Sequence, residues 1–182
     1  MRMTDELVSA AQAGDAGALR EIYSELSPVV IGYLAAKGVP DPEAVTGDVF
    51  TTVLKSFDSI TGGAAGVRTF VMSVAHARMV DDARRRRRRP VLTPYLPETD
   101  ARVSESAEHV ALDGMATASI VAVLNQLPAA QREVVLLRVM ADLSIEQVAQ
   151  IVEKSPGAVK QLQRRGLLAL RDLLEDPAEQ SR

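Results

Sequence analysis

Apolar positions recur along this chain at intervals of three and four, and no window of four to eight residues alternates strictly enough to read as a strand. Leu19, Ile22, Tyr23 and Leu26 keep the i, i+3, i+4, i+7 spacing behind Asp15, whose short carboxylate suits a helix N-cap. Ser27-Pro28 then pairs a capping hydroxyl with a proline at a first helical position, which predicts a new helix with Gly38 as its exit. Asp41-Pro42 repeats that signal and opens a helix with Val45, Val49 and Val53 on one face. Asp48, Thr51 and Lys55 share another face, with Phe50 between them and exposed. The stretch SITGGAAG, Ser59 to Gly66, follows; Gly62, Gly63 and Gly66 predict a mobile loop. From about Val67 a helix carries Phe70, Val74 and Met79 inward and runs into six arginines, Arg84 to Arg89. Pro90 biases Arg89 away from helical geometry and ends it.

Pro94 and Pro97 then stand in a polar, acidic stretch without a sustained apolar period, which extends to Asp113 and predicts a linker. Beyond it, Ala116 to Gln126 and Ala129 to Met140 read as helices, the second packing Val134, Val135, Leu137 and Val139 against its neighbours. Ser144 and Gln147 form a capping box at the head of SIEQVAQIVE. A short turn, Glu153-Lys154, precedes a second Ser-Pro start at Ser155-Pro156, after which Val159, Leu162, Gly166 and Leu170 keep one stripe. Glu153 stands where a glycine commonly ends a helix, at a cost of about 1 kcal/mol. The pattern predicts an all-α protein: two small helical bundles, residues 1–90 and 115–182, joined by an acidic proline-containing linker, 91–114. The C-terminal bundle contains a helix-turn-helix.

Charge sharpens this division. The chain has a formal net charge of -3, yet residues 67–90 carry net +6 while 1–66 carry -5 and 91–114 carry -4. Within 155–171 stand Lys160, Arg164, Arg165 and Arg171 without an acid. Two basic surfaces separated by an acidic spacer point to a polyanionic partner. The absence of cysteine removes disulfides, thiolate metal sites and a cysteine nucleophile, and leaves His76 and His109 as the imidazoles. SITGGAAG lacks the lysine of a phosphate-binding P-loop. No apolar run reaches the roughly 18 residues that span a bilayer. These features predict a cytoplasmic, non-enzymatic protein with no catalytic residues, metal, cofactor, small-molecule substrate or membrane association.

In the helix-turn-helix, packing of Val148, Ala149 and Ile151 against Val159 and Leu162 would turn Gly157, Ala158, Lys160, Gln161 and Arg164 outward, at the half of a helix that enters a major groove. Gln161 suits an adenine edge and Arg164 or Lys160 a guanine edge. Ser155 with the free N–H groups of the helix start suits a phosphate, and Arg165 either a phosphate or solvent. A basic helix face is also an ordinary solubilising surface. The conjunction of capping box, turn, Ser-Pro start and acid-free second helix favours a DNA reader.

At this point the chain resembles the extracytoplasmic-function (ECF) group of bacterial RNA polymerase sigma factors, with an actinobacterial look. Leu124 to Leu174, with LPAAQREV and the GAVK opening of the second helix, resembles region 4; DPEAVTGDVFTTVLKSFDSI resembles region 2.2, and VRTFVMSVAHARMVDDARRRR regions 2.3 and 2.4. The resemblance implies a two-part architecture without a region 3 domain. Asp48, Phe50, Thr51 and Lys55 would dock on the coiled coil of the polymerase largest subunit, with region 4 on its flap. Ser59, Ile60, Thr61, Gly62, Gly63 and Gly66 would form the specificity loop that receives a base flipped from the minus-ten strand. Arg68, Thr69, Ser73, His76, Arg84 and Arg85 would face that strand, and Ser155 to Arg165 the minus-thirty-five duplex. Phe70 stands where the family commonly has tryptophan and reads more readily as core than as a stacking platform; Ala77 stands where asparagine is frequent. The linker would thread the polymerase cleft, and an anti-sigma protein is an implied partner. Six consecutive arginines sweep a whole helix circumference at roughly 100° per residue, so about half would meet phosphate and the rest pair with acids such as Asp81 and Asp82. The alternative is a free-standing helix-turn-helix regulator that binds a symmetric site without polymerase.

Overall fold

The computed structural model describes residues 3–88 and 122–175, which fold entirely as helices and connecting turns. The first, α1 (Asp5–Gln12), starts at Thr4, whose hydroxyl accepts from the Leu7 amide; α2 (Ala16–Ala36) starts at Asp15, whose carboxylate accepts from Gly17 and Ala18. This second helix corrects the sequence reading, because Ser27-Pro28 opens no new helix and Pro28 lies inside α2. Pro28 removes one amide from the ladder. Ile22, Leu26, Val30, Tyr33 and Leu34, however, are all buried on both sides of that break, and burial of the continuous stripe holds the helix together. The exit is as expected, at Gly38 with φ +72°. Asp41 caps α3 (Pro42–Lys55) by accepting from Ala44, and a 3-10 turn, Phe57–Ser59, follows.

The glycine-rich segment departs from expectation in an instructive way. Helix α4 spans Gly63–Arg88, so half of the predicted loop is its first turn. Gly62 and Gly63 take φ +89° and +58° to turn the chain. The cap then comes from another helix: Asp5 of α1 accepts from the Ala64 amide at 2.7 Å. Gly66 serves close approach, since a Cβ there would stand 1.8 Å from the Thr61 carbonyl oxygen. From α1, Gln12 Nε2 also donates to the carbonyls of Phe57 and Ile60 at 3.2 and 2.8 Å. Inward from α4 come Val67, Val71, Met72, Ala75 and Met79, with Phe70 and Val74 half-buried at the edge of the core.

The remaining helices are α5 (Ala129–Val139), α6 (Ile145–Ile151) and α7 (Pro156–Glu175), preceded by a helical turn at 122–125. In α5 Val134 to Leu137 are buried in succession, because α7 covers one side while Met140, just past its end, reaches Gly32 of α2 on the other. Val139 is 65% exposed, not packed as its apolar character suggested; two residues beyond Leu137 it faces away from both neighbours. Ser144 and Gln147 form the capping box. Between α6 and α7 the chain reverses through Glu153 at φ +53°, the left-handed geometry a glycine would take more cheaply, while the Lys154 amide closes onto the Ala149 carbonyl. The two halves of the molecule pack directly together, α6 against α4. The linker 91–114, Pro90 and most of the 116–126 helix lie outside the described residues.

Candidate nucleic-acid interface

Helix α7 presents its faces as the sequence pattern requires. Val159 and Gly166 are buried, and a Cβ on Gly166 would stand 2.8 Å from Val135 Cγ2, so glycine there lets α7 lie close on α5. Ser155 caps the helix by accepting from the Ala158 amide at 3.2 Å. Lys160, Gln161, Arg164 and Arg165 are exposed beside Gly157, with Ala158 half-buried. Nothing in the fold lies within 4 Å of a Cβ at Gly157, so its smallness leaves the backbone open from outside and no internal packing demands it. Leu167 and Leu168 are exposed further along the helix and, with Lys160, Gln163 and Arg164, line a shallow groove of about 400 Å³. The sequence reading passed over this pair, although LLAL places two leucines off the buried stripe.

The face of α4 is arranged differently. Thr69 and Ser73 are half-buried and, with Ser59, Ile60, Thr61, Gly62, Gly66 and Phe70, line a cleft of about 580 Å³; Gly63 sits at the start of the helix beneath it. Arg68 is engaged within the bundle, 3.2 Å from the Glu25 carboxylate. Arg78 donates to Thr52 Oγ1 at 2.9 Å. Arg84 and Arg85 are exposed, whereas Arg86 pairs with Asp82 at 3.0 Å and donates to the Gly38 carbonyl at 3.0 Å, closing the end of α2. The described side chains of the run, Arg84 to Arg86, thus divide between solvent and structure. His76 is half-buried and turned toward α5.

On α3, Asp48, Thr51 and Lys55 are exposed together. Phe50 is not; it is 5% exposed and meets Tyr23 edge-on, ring centroids 4.6 Å apart. The apolar stripe of α3 is wide enough to include both Val49 and Phe50, so the predicted exposed aromatic anchor is a core residue. Its place as the exposed apolar side chain on that surface is taken by Leu54, at 54%, which the sequence reading missed.

A profile of the family described as Sigma-70, region 4 matches residues 117–170. Over 176 residues the chain is 32% identical to the ECF RNA polymerase sigma factor SigD of Mycobacterium tuberculosis, an alignment covering 92% of this chain and 82% of that one. The chain belongs to the ECF sigma factors. It is also 29% identical over 175 residues to the ECF RNA polymerase sigma factor BldN of Streptomyces coelicolor, covering 95% of this chain and 66% of that one. Its fold is that of CnrH in the complex with the cytosolic domain of CnrY, with a TM-score of 0.64 at 18% identity over 96% of this chain and 98% of that one. ECF sigma factors are polymerase subunits that direct transcription initiation, so the free-standing regulator is not favoured. No helix among the described residues is long and apolar enough to cross a membrane.

In this sigma factor the N- and C-terminal halves also touch through polar side chains. Glu133 of α5 lies among three groups from the N-terminal half: Lys37 Nζ at 3.3 Å, His76 Nδ1 at 2.9 Å and the Tyr33 hydroxyl at 3.2 Å. The Tyr33 oxygen is also 3.0 Å from His76 Nδ1. One arrangement of protons satisfies the contacts of His76 and Tyr33 with Glu133: Nδ1–H donates to the carboxylate and the tyrosine O–H does the same, leaving the Tyr33–His76 approach without a proton of its own. Burial opposes the Glu133 charge, but the bond from His76 and the charge of Lys37, seconded by His76, outweigh it and hold the carboxyl below its ordinary pKa. Burial, with the adjacent carboxylate, pushes the Tyr33 phenol well above its usual range. A carboxyl with a depressed pKa favours the folded arrangement above the ordinary carboxylate range, and that contribution is lost as the pH falls through the lowered value. Nearby, Gln147 Nε2 donates to Thr69 Oγ1 at 2.6 Å and to the Ala65 carbonyl at 3.2 Å, and Gln147 with Gln150 closes one side of the cleft under the glycine loop. The sequence reading missed Glu133 altogether, and it used Gln147 for its capping role alone.

Proposed function

We propose that this chain binds core RNA polymerase and directs it to a two-part promoter, with α7 reading the upstream duplex and α4 with its preceding loop holding the opened downstream strand. The observation that carries this is the outward set Lys160, Gln161 and Arg164 on a helix whose opposite stripe, Val159 and Gly166, is locked into the bundle. Such a helix offers bidentate donors to base edges without disturbing its own packing. The Ser59 to Gly66 loop and the half-buried Thr69 and Ser73 supply a polar cleft of a size to take a flipped base, and Arg84 and Arg85 supply phosphate contacts that carry affinity with little sequence information. Residues 1–90 serve as region 2, 91–114 as tether and 115–182 as region 4. Tethering raises the local concentration of each weak reader for its own element. Asp48, Thr51, Leu54 and Lys55 form the polymerase surface of α3, and the flap is met by region 4. The chain works in the cytoplasm by binding, without covalent chemistry, and an anti-sigma protein is its natural antagonist, as CnrY is found with CnrH.

Mixing the purified chain with core polymerase and a pool of templates randomised across the two promoter elements tests this. The expected result is co-elution with core and transcripts enriched for a common pair of motifs. Failure to co-elute, together with tight binding of a palindromic duplex by the chain alone, would establish the free regulator instead.

A further inference from the structure

Among the described residues, no charged side chain lines the cleft under the glycine loop, so a base placed there would be sorted by hydrogen bonding. The hydroxyls of the cleft have already committed their protons. Thr69 Oγ1 donates to the Ala65 carbonyl at 2.7 Å, Ser73 Oγ to the Thr69 carbonyl at 2.8 Å and Ser59 Oγ to the Ser56 carbonyl at 2.7 Å. A hydroxyl has one hydrogen and two lone pairs, so each of these groups keeps only acceptor capacity for a ligand. Thr69 and Ser73 are both half-buried and stand one turn apart on α4, each bonded back to the carbonyl four residues earlier, as such hydroxyls commonly are within a helix. They form a short row of oxygen acceptors along one wall.

A polar group seated against this row has the matching chemistry. Gln147 Nε2 donates to Thr69 Oγ1 at 2.6 Å and to the Ala65 carbonyl at 3.2 Å, so a planar NH2 group meets two acceptors at once. The exocyclic amine of cytosine or adenine is also a planar NH2 with two N–H donors. Thymine and guanine carry a keto oxygen at the corresponding ring position, and an oxygen set there would face the lone pairs of Thr69 and Ser73. To receive it, a hydroxyl would have to turn its proton away from its carbonyl, and the loss of that bond lowers affinity by about fivefold.

We infer that this cleft selects a base by its exocyclic amine: it admits cytosine or adenine, held by Thr69 Oγ1 and Ser73 Oγ, ahead of thymine and guanine. This rests on the reading of the cleft as the holder of a flipped base, and it names which bases fit. Size contributes little to the choice, because a cleft of about 580 Å³ has room for a purine as well as a pyrimidine.

The test uses holoenzyme assembled from the full chain and core polymerase. Its probe is fork-junction DNA whose non-template strand is single and randomised across the downstream element, so that no base there is held by pairing. The wild type is expected to enrich cytosine or adenine at one position whose preference Thr69→Val flattens by about fivefold or more, with neighbouring positions unchanged. Valine keeps the shape of threonine and removes the acceptor. Thr69→Ser returns the acceptor and should return the preference, which a purely structural role for Thr69 would not require. Replacing the preferred base at that position by its keto counterpart, uracil for cytosine or hypoxanthine for adenine, should weaken wild-type binding by about fivefold or more and leave Thr69→Val nearly indifferent. Enrichment of thymine or guanine at the position these variants alter overturns the inference. So does a Thr69→Val, Ser73→Ala double variant that alters no position more than the others. If the wild type enriches nothing across the downstream element, the cleft is no strand holder and the inference falls with that reading, a result distinct from a cleft that reads a different base.

Discussion

Helices α4 and α7 are the most cationic of the described helices, and they place much of their charge differently. Along α4, Arg68 turns back to Glu25, Arg78 to Thr52, and Arg86 to Asp82 and the end of α2, while Arg84 and Arg85 face solvent. Along α7, Arg164 and Arg165 are exposed and enter no ion pair among the described residues. The difference follows from what each helix must bury. Helix α4 is crossed by α1, α2, α3 and α6, so a long cationic side chain meets a partner at almost every turn. Helix α7 lies on α5 and α6 with one stripe and leaves the rest to solvent. Basic composition therefore marks both helices but does not by itself separate charge turned into packing from charge left outward.

The division between inward and outward use runs through α3 as well, and there it predicts the largest effect. Phe50→Ala empties a core position and should cost about 3 to 5 kcal/mol in chemical denaturation, whereas Leu54→Ala should stay within about 0.5 kcal/mol and weaken co-elution with core polymerase. Equal stability losses at the two positions would erase the distinction. The same contrast between Arg68 and Arg164 should be smaller. Arg68→Met leaves Glu25 without its partner and should cost about 1 to 3 kcal/mol of stability. Arg164→Met should leave stability within about 0.5 kcal/mol. Its loss, like that of Gln161→Ala, should instead appear as about 1 to 3 kcal/mol of lost discrimination at one base pair of the upstream element. A uniform loss over all sequences would make Arg164 a phosphate contact. Smallest is the effect within the arginine run itself. Removing Arg84 or Arg85 should lower the slope of log affinity against log salt by about one unit each, while Arg86→Ala should change thermal stability and leave the slope nearly intact.

How far the sequence foretold this molecule depends on how local each signal was. Asp15, Asp41 and the Ser144–Gln147 box act on amides within three residues and are found where the pattern places them. The Ser27-Pro28 signal is just as local, yet it is overruled, because the buried stripe from Ile22 to Leu34 is longer than the start motif can interrupt. The early start of α4 was hidden for the opposite reason: its cap, Asp5, comes from a helix 59 residues earlier. Phe50 departed from its expected exposure and Leu54 went unnoticed because burial of neighbouring positions depends on which helices arrive from elsewhere. The outward face of α7 was legible, since its inward stripe fixes it. The polar contact between the halves was not, with Tyr33 and Glu133 standing 100 residues apart and Gln147 already explained by its capping role.

Helix α1 carries no reading face, yet the glycine loop hangs from it at three points: Asp5 holds the Ala64 amide, and Gln12 holds the carbonyls of Phe57 and Ile60. The loop is short and glycine-rich, so these anchors set its curvature more than its own side chains can. Under the proposed function, base choice at the loop is then partly a property of α1. Under that reading an uncharged substitution such as Gln12→Leu, which releases the carbonyls of Phe57 and Ile60, would retune which base the loop admits without touching the loop's own residues.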